Sequence, residues 1–120
     1  MTTNIYVFGS NLAGRHGAGT ALQAVKHHGA VYGQGWGLQG SSYGIPTKDS
    51  KLRTLPLEEI HTHVLNFLMF AYFNPQFTFN VQPIGCGLAG YSPKDIAWMF
   101  YDRTPNVILP KVFLDELKGQ

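Results

Sequence analysis

A short apolar strand runs directly into a glycine-rich loop in the sequence IYVFGSNLAGRHGAG, which spans residues 5–19. Ile5 to Phe8 form a continuous apolar run, which predicts a buried strand. Gly9 ends this run, and three more glycines follow before good helix formers begin at Thr20. The stretch therefore predicts a strand, a loop with close backbone approach, and a helix from Thr20 to His28.

Glycine is enriched, with 14 residues among 120, and it is concentrated in two further clusters. The cluster within residues 29–44 predicts a loop that leads into a brief strand at Tyr43–Pro46. The third cluster, Gly85 to Gly90, follows the alternating run Phe77–Ile84, which predicts another strand. Two of the clusters thus lie where strands end. In sheets of parallel strands, ligands bind beyond these carboxyl ends, so the placement favours a functional role.

The remaining patterns complete one α/β domain over residues 1–120. Apolar residues at helical spacing predict a long helix at Leu57–Phe73, and Ser92 with Pro93 predicts the start of another helix. Further elements are predicted as a helical continuation at Ile96–Tyr101, a strand at Asn106–Leu109 and a terminal turn or helix at Val112–Lys118. Strands that alternate with helices predict a mostly parallel central sheet with helices on both faces.

Composition excludes several classes of protein. Charged residues make up 13%, the formal net charge is +2, and no apolar run approaches the roughly 20 residues that span a bilayer. The weak charge argues against a duplex DNA binder. The single cysteine, Cys86, excludes an internal disulfide and a cysteine-based zinc site. With no pattern of a signal peptide, we expect a soluble cytoplasmic protein.

The first acidic residue is Asp49. The basic residues of segment 1–48 include Arg15 and Lys26, and the segment also holds three histidines, without a carboxylate. Such a segment tolerates a nearby anion, because it holds no fixed negative charge to repel one. Chance in a chain with seven acids is the alternative interpretation.

The first and third glycine clusters each partly match a known phosphate-binding motif. Gly9 and Gly14 have P-loop spacing, but Arg15 and His16 replace the lysine and the hydroxyl residue that nucleoside triphosphatases need. The third cluster matches GxGxxG, but its helix begins too late for a dinucleotide fold, and no acidic residue ends the next strand. The sequence thus argues against triphosphatase and hydride-transfer chemistry, while the loop backbone remains suited to bind phosphate.

Few side chains suit catalysis. His16, inside the first loop, is the only histidine that we interpret as a site candidate, and no histidine pair has metal-ligand spacing. Cys86 is either a nucleophile or, more simply, a small residue required by a tight backbone. Trp36 and Tyr91 lie within glycine loops, where stacking on a base or ribose competes with ordinary packing.

Together, the loops resemble those of macro domains, and most closely the compact macro-like proteins of phages and bacterial genomes. Three segments carry the resemblance: GSNLAGRHGAG at residues 9–19, GSSYGIPTK at residues 40–48 and IGCGLAGYSP at residues 84–93. The resemblance implies a three-layer α/β/α sandwich with a cleft for ADP-ribose or a related NAD-derived nucleotide. We expect no metal and no cofactor, and we expect the host cytoplasm as the compartment if a phage encodes the protein.

Carried over by position, Asn11 is expected to contact the distal ribose, and the third loop is expected to wrap the diphosphate, with Tyr91 near that ribose. Asn11 and His16 are the expected catalytic residues if the protein is an enzyme. The full set of expected ligand-binding residues is Gly9, Ser10, Asn11, Gly17, Ala18, Gly19, Gly85, Cys86, Gly87, Leu88, Ala89, Gly90 and Tyr91.

The chain departs from the family pattern at two points. No acidic residue is available to read adenine before Asp49, and Arg15, His16 and Ala18 interrupt the glycine triplet of the active hydrolases. The expected function is binding of an ADP-ribose-like small molecule or of an ADP-ribosylated protein. Two alternatives are a hydrolase or phosphatase acting on ADP-ribose linkages, and a single-stranded nucleic-acid-binding module. The oligomeric state stays open.

Overall fold

A computed structural model describes residues 3–118, in which a five-stranded sheet and four helices form one compact α/β unit. The strands are β1 (Thr3–Asn11), β2 (Gly37–Gln39), β3 (Ser42–Lys48), β4 (Phe77–Val81) and β5 (Val107–Ile108). The helices are α1 (Gly19–His27), α2 (Leu57–Tyr72), α3 (Pro93–Ile96) and α4 (Lys111–Leu117), and a 3-10 turn spans Ala97–Phe100. Within this part of the chain, no helix has the length and apolar character needed to cross a membrane.

The sheet is mixed, which corrects the expectation of a mostly parallel sheet. Its strand order is β2-β3-β1-β4-β5, and β2 is antiparallel to β3 while the other three pairings are parallel. Only Gly40 and Ser41 separate β2 from β3, and so short a connection can join only antiparallel neighbours. The prediction of a loop over residues 29–44 is therefore wrong at β2.

Apolar side chains pack on both faces of β1. Ile5 and Val7 belong to a large cluster that includes the buried face of α2, and the alternate residue Phe8 belongs to a smaller one with Ala21 and Ala24 of α1. Successive residues of a strand point to opposite faces of a sheet, so this division follows from the pleat. The continuous apolar run at residues 5–8 is explained by burial on both sides.

The local predictions agree with the structure to within a few residues for α1, α2 and β4. The helix predicted after Ser92 is confirmed by a capping box, in which Asp95 accepts hydrogen bonds from both the backbone N–H and the hydroxyl of Ser92. Its predicted continuation is the 3-10 turn rather than a longer α-helix.

Candidate functional site

A cavity of about 570 Å³ opens where the carboxyl ends of β1, β3 and β4 meet. After β1 the chain crosses to β2 and β3 on one side of the sheet, and after β4 it crosses to β5 on the other side. The two connections therefore diverge at this point. Crevices of this kind are the usual ligand sites of open α/β sheets. The strand ends are close, because a Cβ added to Gly9 would lie 3.6 Å from the Cα of Ile84.

The first and third glycine loops line this cavity together. The predicted site residues that line it are Gly9, Ser10, Asn11, Gly17, Ala18, Gly19, Gly85, Gly87, Leu88 and Ala89. The structure places four other predicted residues outside the cavity lining, namely His16, Cys86, Gly90 and Tyr91. The cavity lining also includes residues that the sequence analysis did not predict as site residues, namely Arg15, Thr20, Ala21, Tyr32, Thr47, Lys48, Leu52, Pro83 and Ile84.

Asn11 is buried at the base of the first loop, where its side chain holds the loop in shape. Its Nδ2 donates to the carbonyl of Arg15 at 2.8 Å, and its Oδ1 accepts from the N–H of the same residue at 2.9 Å. Both ends of the amide are therefore engaged by backbone. The arrangement turns the chain so that Arg15 and the following glycines face the cavity.

His16 lies in the interior, behind the first loop, with 1% of its surface exposed. Its Nε2 lies 2.8 Å from the carbonyl oxygen of Gln34, and because a carbonyl only accepts, Nε2 carries the proton. Its Nδ1 has no hydrogen-bond partner among the residues described. The ring packs edge-on against Phe8 and Tyr32. These contacts join the first loop to residues 32–34, and they place the ring where it does not face the cavity.

Tyr91 and Cys86 are also occupied elsewhere. The Tyr91 hydroxyl donates to the carbonyl of Leu55 at 2.7 Å, and its ring packs against the large apolar cluster. Burial, with a smaller contribution from the Asp95 carboxylate, raises the pKa of the Cys86 thiol to about 11. At neutral pH the thiol is protonated, which favours its interpretation as a small packing residue over a nucleophile.

The cavity has a positive and acid-free lining. Arg15 and Lys48 are among the lining residues, and no Asp or Glu of the described residues lines it. Neither cation forms a salt bridge with a carboxylate within residues 3–118. An anion that enters the cavity therefore meets two cations without competition from a fixed carboxylate.

Backbone donors add to this positive lining. In the part of the chain that the structure describes, the N–H groups of Gly17, Ala18, Gly87 and Leu88 donate no hydrogen bond. The two glycines stand in open space, because a Cβ built on either would meet no atom within 4 Å. Helix α1 also begins at the cavity, and its first turn has neither an acidic residue nor a side-chain cap. Free N–H groups at a helix N-terminus attract anions.

Other glycines of these loops serve the fold. A Cβ on Gly14, whose φ is +69°, would come closer than 3.0 Å to the backbone of Gly33 and Gln34. The Gly33 N–H also donates to the Gly14 carbonyl at 2.8 Å. Gly14 thus allows the segment that carries Tyr32 to lie directly against the first loop.

Tyr32, Lys48 and Leu52 are three of the nine lining residues that sequence reasoning missed. Each lies in a different part of the chain from the two loops, and only the packing of that part brings it to the cavity. Leu52 is distinguished locally by its backbone, which has a φ of +65°. It lies in a turn where Asp49 Oδ1 accepts hydrogen bonds from the N–H groups of Lys51 and Arg53. These backbone contacts lower the pKa of Asp49, with a further contribution from the Arg53 side chain.

Comparisons with family models, curated proteins and solved structures found no match for this chain. Within residues 3–118, no group of three or more His, Cys, Asp or Glu side chains is placed to hold a metal ion. The chemistry of the site rests on its cations, its backbone donors and the apolar side chains at its rim.

Proposed function

We propose that the protein binds ADP-ribose or a related NAD-derived nucleotide in the cavity between its two glycine-rich loops. One cavity combines Arg15 and Lys48, which form no salt bridge within residues 3–118, with free backbone N–H groups, and no described Asp or Glu lines it. This combination is the observation that carries the proposal. A volume of about 570 Å³ also falls within the range of small-molecule sites. In this proposal the N–H groups of Gly87 and Leu88 hold phosphate oxygens, and Arg15 and Lys48 neutralise their charge.

The proposal includes a macro-like arrangement of the fold, with the sheet as the middle layer of an α/β/α sandwich. The apolar clusters on both faces of β1 support it, because α1 packs on one face and α2 contributes to the cluster on the other. The cavity at the carboxyl ends of the strands is consistent with the same arrangement.

Between a binder and an enzyme, we propose a binder. Hydrolysis at the distal ribose needs a group that orients or deprotonates a water molecule. The cavity offers no carboxylate among the described residues, the His16 ring lies outside its lining, and both ends of the Asn11 amide are engaged by Arg15. The hydrolase and phosphatase alternatives would therefore rest on Asn11 alone.

Titration calorimetry with ADP-ribose, NAD and adenosine monophosphate tests the proposal. We expect saturable binding of ADP-ribose, weakened by replacing Lys48 with Gln because a cation that faces the phosphates is lost. Lys26→Gln is the matched control: it removes the same charge from the exposed side of α1 and should leave the affinity unchanged. The absence of binding by all three ligands at millimolar concentration would refute the proposal.

Two further measurements address the alternatives. Turnover of ADP-ribosylated protein or ADP-ribose phosphate by the purified protein would establish the enzyme. Loss of that turnover in Asn11→Ala, with ligand affinity little changed, would assign a catalytic role to Asn11. Binding of single-stranded nucleic acid that falls steeply with salt would favour the third alternative, since many phosphate contacts release many counterions.

A further inference from the structure

The rim of the cavity presents apolar surface. Tyr32, Leu52 and Leu88 line the cavity and are 63%, 41% and 73% exposed. All three are large apolar side chains, whose exposure to water is unfavourable and whose burial would be favourable. They accompany the cationic lining described above, so one cavity combines a place for an anion with a place for an apolar group.

The three side chains come from two sides of the cavity. Tyr32 belongs to the first-loop side, where its ring contacts His16 and its neighbour Gly33 bonds to Gly14. Leu88 belongs to the third loop. Leu52 lies in the turn at residues 49–53. Just after this turn, the Thr54 hydroxyl donates a 2.9 Å hydrogen bond to the Ala89 carbonyl of the third loop, which places Leu52 on the third-loop side. A flat group that enters the cavity thus meets an aromatic ring from one side and aliphatic chains from the other.

Carboxylates and free carboxamides, the side chains that commonly read the edge of adenine, are missing from the described lining. It contains no carboxylate, and the Asn11 amide is engaged by Arg15 at both ends. The hydroxyls of Ser10 and Thr47 are buried and donate to the carbonyls of Asn11 and Ser10. Apart from the hydroxyls of Thr20 and Tyr32 and the two cations, the surface that remains for a base is the apolar rim.

From this combination we infer that the cavity holds the base of its nucleotide by stacking against Tyr32, Leu52 and Leu88, without selecting adenine. The inference rests on the proposed nucleotide binding and specifies its substrate class: purine nucleotides chosen for the area of their base and for their phosphates. Hypoxanthine and adenine rings present nearly equal faces but different hydrogen-bonding edges. A site that uses only the faces binds both equally.

The test compares ADP-ribose with its deaminated counterpart, which carries hypoxanthine, and with inorganic pyrophosphate, which has no base. We expect the two nucleotides to bind within about threefold of each other. Tyr32→Ala should weaken both by about tenfold, the scale of base–aromatic stacking, and leave pyrophosphate binding unchanged. Tyr72→Ala is the matched control, because Tyr72 is 64% exposed and lies away from the cavity.

Leu52→Ala should weaken binding of both nucleotides by less than Tyr32→Ala does. Leu38→Ala is its control and should leave both affinities unchanged, because Leu38 is 40% exposed and lies outside the cavity lining. A preference above tenfold for adenine would overturn the inference, as would a Tyr32→Ala effect that is equal for pyrophosphate. In both cases the proposed nucleotide binding would stand. Failure of every ligand, pyrophosphate included, would refute the proposed function itself, and the inference with it.

Discussion

Gly87 is the residue at which binding and folding separate most cleanly. It lines the cavity, its φ lies outside the left-handed region, and a Cβ built on it meets no atom within 4 Å. We expect Gly87→Val to abolish ADP-ribose binding, because the new side chain occupies the space of the phosphates. The free energy of unfolding should change by less than about 1 kcal/mol, as is usual for open positions.

Calorimetry and chemical denaturation of the same preparation check this prediction. Gly17→Ala, at a second open position in the first loop, provides a companion variant whose stability should also be unchanged. Unimpaired binding by a stable Gly87→Val protein would place the phosphates elsewhere.

Cys86 gives a prediction for the dependence of reactivity on pH. Its pKa is raised from 9.0 to about 11, so the thiolate is scarce in the folded state until the pH approaches 11. In the unfolded chain the thiolate forms near pH 9, and folding therefore loses stability as the pH rises above that value. At pH 8 we expect iodoacetamide to alkylate the native protein at least about tenfold more slowly than the denatured protein.

Mass spectrometry of quenched time points measures these two rates. Equal rates for native and denatured protein would show that the thiol is accessible and ionised in the folded state. That outcome would favour the interpretation of Cys86 as a nucleophile.

At the scale of elements, the side chain of Asn106 joins three segments of the fold. Its Nδ2 donates to the carbonyls of Ala71, Asn74 and Phe77 at 3.1–3.2 Å, which links the end of α2 and the start of β4 to β5. Asn106→Ala removes this donor from carbonyls that are partly buried. We expect the free energy of unfolding to fall by about 2 kcal/mol, because three partly buried hydrogen bonds, each with a net value of about 0.5–1.5 kcal/mol, are lost together.

Denaturant unfolding measures the loss. Asn80→Ala is the control: the Asn80 amide donates one bond, to Asn4 at the exposed surface, and its removal should cost less than about 0.5 kcal/mol. Similar losses for the two variants would mean that Asn106 does not hold these elements together.

The whole molecule should be stabilised by its ligand. Binding to the folded state alone adds about 2.7 kcal/mol when the free ligand is a hundred times its dissociation constant. For a chain of 120 residues this corresponds to a rise in Tm of about 10 °C. Thermal denaturation with and without ADP-ribose measures the shift, and an unchanged Tm at saturating ligand would contradict binding to the folded state.

Local sequence determined the elements that carry the site. The apolar run at residues 5–8, the spacing within α2 and the Ser92–Pro93 start each act through neighbours a few residues away, so their structures are readable from short stretches. The same holds for the glycine clusters after β1 and β4. Parallel strands bring such loops to one edge of a sheet, which is why the expectation that these two loops meet agrees with the structure.

Tertiary structure alone decided the lining of the cavity beyond those loops. Lys48 and Leu52 reach it because β3 lies beside β1, and Tyr32 reaches it because Gly14 lets the following segment pack against the first loop. It also buried His16, which the sequence analysis named as an expected catalytic residue of the first loop, by pairing its ring with the Gln34 carbonyl. Contacts between residues far apart in the chain depend on how the whole core packs, and no short pattern encodes them.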